Sequence, residues 1–107
     1  MLLAHGGGAL PWLRGRLARE QEIHPPGRDV RAALGRFLVD TVVHDVDVLR
    51  ALVDFFGPER VLLGSDYPFD MGVERPAEIV RALGLPPDQE GRILGGNALR
   101  VLQESPA

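Results

Sequence analysis

Val61-Leu62-Leu63-Gly64-Ser65-Asp66-Tyr67-Pro68-Phe69 decides how the chain is read: a run of branched apolar residues leads straight into an acidic residue and a proline stop. Apolar side chains in succession, without alternation, are what a strand covered on both faces requires, and such strands belong to parallel α/β sheets. A carboxylate at the C-terminal end of such a strand sits where those folds keep their chemistry. Asp66 is therefore the first candidate functional residue. Its competing reading is a carboxylate that accepts backbone N–H groups in the turn Ser65-Asp66-Tyr67-Pro68, and the local pattern leaves both open.

Working upstream, Phe37-Leu38-Val39-Asp40-Thr41-Val42-Val43 reads as a second buried strand, with His44-Asp45 after it. From an N-cap at Asp45 or Asp47, Leu49, Leu52, Val53 and Phe56 recur at the spacing of one buried helix face, and Gly57-Pro58 stops the helix. Strand, helix, short loop and the Val61 strand make a βαβ unit with parallel strands. Earlier still, Leu2-Leu3-Ala4 reads as the tail of a buried strand that leaves through the loop His5-Gly6-Gly7-Gly8. A helix is expected over Ala9 to Glu22, with Leu10, Leu13 and Leu17 on one side, Trp12 adding apolar bulk and Arg14, Arg16 and Arg19 on the polar side. His24-Pro25-Pro26-Gly27 is a loop signal, and Asp29 to Gly35 is a short helix or turn.

Downstream of Asp66, an irregular loop runs through Met71-Gly72-Val73-Glu74. A helix is expected from about Pro76, with Ile79, Val80 and Leu83 inward and Gly84 closing it. Pro86-Pro87-Asp88 opens a further short helix that ends at Gly95-Gly96, and Asn97 caps a last one carrying Leu99, Val101 and Leu102. Gln103 to Ala107 is expected to fray. Three strand-like runs, each followed by helix, make about three βα units of an α/β fold, and residues 1–107 form a single partial domain.

Composition narrows the chemistry. The chain has 107 residues and a net charge of −3 without any basic run, which argues against nucleic acid as a partner. It has no cysteine, so disulfides, thiolate nucleophiles and Cys-type zinc sites are excluded and any metal must be held by His, Asp or Glu. All 12 basic Lys/Arg positions are arginine, which excludes a Schiff-base or carboxylated lysine supplied by this chain. Met1-Leu2-Leu3-Ala4 is too short an apolar run for a signal-peptide core or a membrane span, so no membrane is expected and the location reads as cytoplasmic.

In a parallel array the loops that follow the strands open on one side, so His5, His44 and Asp66 should gather on one face. Each has a bland alternative. His5 could be packed under its glycine loop rather than act as a general acid/base. His44 reads more readily as the start of its helix, and His24 as a solvated loop residue. The glycine triplet lacks the Lys and Ser/Thr of a phosphate-binding loop; it is better suited to bringing backbone close to a ligand.

Taken together and in order, His5-Gly6-Gly7-Gly8-Ala9-Leu10-Pro11, Val39-Asp40-Thr41-Val42-Val43-His44-Asp45, Leu63-Gly64-Ser65-Asp66-Tyr67-Pro68-Phe69 and Gly96-Asn97-Ala98 resemble the amidohydrolase-related metal enzymes. The branch they resemble is that of aminocarboxymuconate-semialdehyde decarboxylase. The resemblance implies a metal-dependent TIM-type (β/α)8 barrel, of which this chain would be the C-terminal part, strands six to eight. It implies Asp66 as a ligand of one divalent metal, usually zinc, and His5 as the acid/base that handles the water beside it. Arg16, eleven positions after His5, matches an arginine that in the decarboxylases crosses a homodimer interface to a substrate carboxylate.

The family's other metal ligands come from a His-x-His pair and a further histidine, and this chain has no His-x-His. A whole barrel takes ~250 residues. The expectation is therefore a C-terminal portion of a metal-dependent enzyme, a truncated product or a sequence with a misassigned start, acting as a non-oxidative decarboxylase on a small carboxylated substrate. A metal-dependent hydrolase of an ester, lactone or amide is the alternative. A chain inactive by itself, or one that pairs with a separate N-terminal part, is the other.

Overall fold

The structure is a computed structural model, and it describes residues 1–24 and 29–104. Three short strands form one parallel sheet in the order of the chain: β1 (Leu2–Leu3), β2 (Leu38–Asp40) and β3 (Val61–Leu62). Leu3 is in register with Val39, and Val39 with Val61. The first helix, α1 (Arg14–Ile23), follows a 3-10 turn over Pro11–Leu13. The next, α2 (Val30–Leu34), is capped by the Asp29 side chain, which accepts the Ala32 N–H. The His24–Gly27 loop expected from sequence falls largely outside the described residues, as do residues 105–107 of the expected frayed tail.

The connection from β2 to β3 is α3 (Val46–Phe56), and it forms for the reasons its sequence suggests. Asp45 rather than Asp47 is the N-cap, accepting the Val48 N–H at 2.9 Å. Leu49, Leu52, Val53 and Phe56 are all buried, and Gly57 ends the helix at a φ of 86° that favours glycine. This face packs on Val39 and Val61, which are fully buried at the centre of the sheet, and the core continues into Val80, Leu83 and Ile93.

After β3 the chain loops to α4 (Pro76–Arg81), closed by Gly84 at φ 65° as expected. Then α5 (Pro87–Gly91) runs through a π turn at Arg92–Gly96 into α6 (Asn97–Glu104). In that turn the Ile93 carbonyl accepts the Leu63 N–H at 3.2 Å, extending the bonding of the β3 strand beyond its ladder.

Four sequence expectations are corrected. The second strand is three residues long instead of seven: the ladder ends at Asp40, where the Asp40 and Thr41 side chains accept backbone N–H groups in its place. The first helix begins at Arg14, after the 3-10 turn, and buries none of its residues; Trp12 and Leu13 are exposed. Leu99 and Leu102 are likewise exposed, since no element among the described residues covers that side of α6. Asn97 does not cap a helix: its own backbone is helical, and its buried side chain donates to the carbonyls of Pro58 and Val61, at 2.6 and 2.8 Å. No helix among the described residues is long and apolar enough to cross a membrane.

Candidate active site

The ends of the three strands place His5, His44 and Asp66 around one open hollow of about 510 Å³, walled by Val42, Val43, Val48 and Met71. The convergence expected of a parallel array is thus present. His5 Nε2 and Asp66 Oδ2 face each other across 3.8 Å, with 65% of the His5 side chain and 27% of the Asp66 side chain exposed. That separation is beyond hydrogen-bonding range, so neither group saturates the other and both stay open to a third.

The backbone at these positions is unusual. Among the described residues, His5, His44 and Asp66 are the non-glycine residues with positive φ, at 53°, 55° and 59°. Residues with a Cβ enter this region at a steric cost, least for Asn, Asp and His, and such conformations gather at functional sites where surrounding contacts impose them. The three residues that the sequence places at strand ends are thus also the three that carry this strain, His44 among them although it reads more readily as a helix start.

The surroundings of Asp66 bear on its turn-cap reading. Among the described residues its carboxylate accepts no backbone N–H. The turn is closed by other groups: Ser65 Oγ accepts the Tyr67 N–H at 3.3 Å, the Asp66 carbonyl accepts Phe69 N–H at 3.0 Å, and the Ser65 carbonyl accepts Val73 N–H at 2.7 Å. The capping alternative is therefore set aside, and the carboxylate points into the hollow uncommitted.

His44 does more than start a helix. Its Nε2 lies 2.6 Å from the Met71 carbonyl oxygen, tying the end of β2 to the loop that follows Asp66. His24 sits at the far end of α1 beside Glu20, away from the hollow's lining. Arg16 is exposed on α1 and does not line the hollow either.

Asp40 and Thr41 were not singled out from sequence. Asp40 Oδ1 accepts the N–H of Gly6 at 3.0 Å and of Val42 at 3.1 Å; Thr41 Oγ1 accepts the N–H of Gly64 at 3.1 Å. The available signal was an acidic residue and a hydroxyl in the middle of an apolar strand run.

A divalent metal would find two donors here, His5 and Asp66, of the types zinc takes. Among the described residues no group of three His, Cys, Asp or Glu side chains is close enough to hold an ion. Asp66 fits as one ligand of a site, and the described residues do not complete the three that a catalytic zinc normally has.

Parallel βα units with polar residues at the C-terminal strand ends are the arrangement of an α/β fold, open sheet or barrel. The chain belongs to the amidohydrolase family, whose pattern matches residues 1–103. It is 36% identical over 110 residues to a 2-amino-3-carboxymuconate-6-semialdehyde decarboxylase of Dictyostelium discoideum, covering 96% of this chain and 31% of the relative. It is 30% identical to a 6-methylsalicylic acid decarboxylase of Penicillium expansum, covering 94% and 34%. The structure of an apo IDCase from Metarhizium anisopliae superposes with a TM-score of 0.77 at 30% identity, over 96% of this chain and 33% of that one. The chain thus spans about a third of the length of these relatives, and its three βα units are a part of their barrel.

Proposed function

We propose that this chain carries the acid/base and one metal ligand of a non-oxidative decarboxylase site that acts on a small carboxylated substrate. The observation that carries the reading is the gathering of His5 and Asp66, both in left-handed backbone, at 3.8 Å on one hollow. The relatives named above as decarboxylases favour decarboxylation over hydrolysis of an ester, lactone or amide.

Loss of carbon dioxide leaves an electron pair on the carbon that bore the carboxylate, and a proton must reach it there. His5, solvent-accessible and adjacent to the Asp66 carboxylate, is suited to hold and move that proton at Nε2. The apolar wall of Val42, Val43, Val48 and Met71 would hold the substrate's carbon skeleton and keep bulk water from the reacting carbon. Asp66 would be a ligand of a divalent metal, zinc in this reading, with the remaining ligands supplied from outside this chain. When bound, such an ion supplies Lewis acidity beside the substrate. Arg16, exposed and away from its own hollow, suits a contact with a substrate carboxylate in a second copy of the protein, which makes the enzyme a homodimer. Its place in the cytoplasm remains part of the same reading.

The test is a chimera in which this chain replaces the matching segment of the Dictyostelium relative. Decarboxylation of that enzyme's substrate above the background of an empty segment supports the reading. Turnover of ester or lactone substrates alone moves the assignment to a hydrolase. Arg16→Ala in the chimera should raise KM for a carboxylated substrate about tenfold or more, the loss of one charged hydrogen bond; an unchanged KM leaves Arg16 an ordinary surface residue.

A further inference from the structure

The sheet ladder stops short of the residues it serves. On one flank the register ends at Leu3 and Val39, two residues before His5; on the other it ends at Asp40 and Leu62, four residues before Asp66. Beyond those points two consecutive side chains of the central strand's end take over. Asp40 Oδ1 accepts Gly6 N–H on one side, and Thr41 Oγ1 accepts Gly64 N–H on the other, while lying 3.5 Å from the Gly64 carbonyl.

The loop gripped by Asp40 is rich in glycine and in unusual backbone. His5, Gly6, Gly7 and Gly8 have φ of 53°, 65°, 86° and 60°, four successive residues with positive φ. Three glycines leave the unfolded loop many alternatives. The Gly7 and Gly8 amides bond only within the segment, to the carbonyls of Ala4 and His5. The Gly6 amide instead reaches a carboxylate 34 residues away, and hydrogen bonds to a charged acceptor are the stronger kind. Thr41 is 1% exposed, so its hydroxyl has little water to turn to, and its bond to Gly64 is strongly favoured.

Resting on the reading of His5 and Asp66 as the working pair, we propose that Asp40 and Thr41 are separate positioning residues, Asp40 for His5 through Gly6 and Thr41 for Asp66 through Gly64. Neither touches the reacting atoms. Each fixes the backbone that aims one of the two side chains, and together they set the His5–Asp66 separation.

The test reads backbone geometry by NMR on the chain itself, so its outcome is independent of whether the protein is a decarboxylase. A residue with positive φ shows a strong intraresidue HN–Hα cross-peak. In Asp40→Ala this signature should be lost at His5 and kept at Asp66, with exchange of the Gly6 amide faster by roughly tenfold or more. In Thr41→Val it should be lost at Asp66 and kept at His5. Asp40→Asn, which retains an acceptor oxygen, should restore His5. Loss at both residues in both variants would reduce the pair to general stability, and loss at neither would remove the role. If Asp40→Ala does not fold, the scalar coupling across the hydrogen bond from the Gly6 amide to the Asp40 carboxyl carbon decides on the unaltered protein: its presence supports the proposal and its absence overturns it.

Discussion

At the scale of single residues, Gly6 shows how closely the site is built onto the core. A Cβ placed there would come within 2.5 Å of Leu52 Cδ1 and 2.6 Å of Val43 Cγ1, in a backbone conformation already unfavourable for a side chain. Gly8 has the same kind of φ with nothing within 4 Å. Gly6→Ala should therefore destabilise the fold by about 3 kcal/mol, combining overpacking with backbone strain, and Gly8→Ala by about 1–3 kcal/mol through backbone strain alone, its ψ of −129° lying outside the left-handed helical region; urea denaturation of both variants measures the two effects. The gathering of His5, His44 and Asp66 on one face was legible from their strand-end positions, while His44 by itself reads more readily as a helix start. Their left-handed backbone was not legible, since His and Asp tolerate that region without any sequence mark comparable to glycine. The grip of Asp40 and Thr41 was hidden for a different reason: their partners, Gly6 and Gly64, lie 34 and 23 residues away and are backbone amides, which no side-chain pattern reveals.

At the scale of elements, α3 and α6 make an instructive contrast. Both carry apolar residues at helical spacing, and only α3 buries them. The period identifies a face; whether anything lies against it is a property of the fold. Leu49→Ala, in a fully buried position, should cost about 2–5 kcal/mol. Leu99→Ala, at a position 57% exposed, should change stability by less than about 0.5 kcal/mol. Thermal unfolding of the pair checks whether the α6 stripe is uncovered in solution. Asn97 was misread because asparagine serves equally as a helix cap and as a buried amide donor. Its side chain ties the start of α6 to the two ends of the segment that leads into β3. Asn97→Ala leaves two carbonyls without that donor and should destabilise by about 2 kcal/mol or more, measured by the same unfolding experiments.

At the scale of the whole molecule, the fold is a three-stranded parallel arc whose working face is assembled from loops far apart in sequence. The order of motifs made the family and the barrel segment legible, because βα units keep their sequence order around such a sheet. The extent of the uncovered surface was not, because apolar residues at helical spacing read as core. Met1, Leu2, Leu99 and Leu102 are all more than half exposed, and apolar surface of this kind promotes association. The isolated chain should self-associate with rising concentration, and Leu99→Gln combined with Leu102→Gln should reduce this in light scattering without lowering Tm. The proposed site divides its labour between Asp66 as metal ligand and His5 as acid/base. This division is tested most directly by metal content and turnover measured together in the Dictyostelium chimera. Asp66→Asn keeps a side chain at home in left-handed backbone while removing the charge, and should lower both metal content and turnover. His5→Ala should retain metal and lose turnover by about 10²–10⁴-fold. Full metal loss in His5→Ala would make that histidine a ligand, and full metal content in Asp66→Asn would remove Asp66 from the metal site; either result contradicts the assignment.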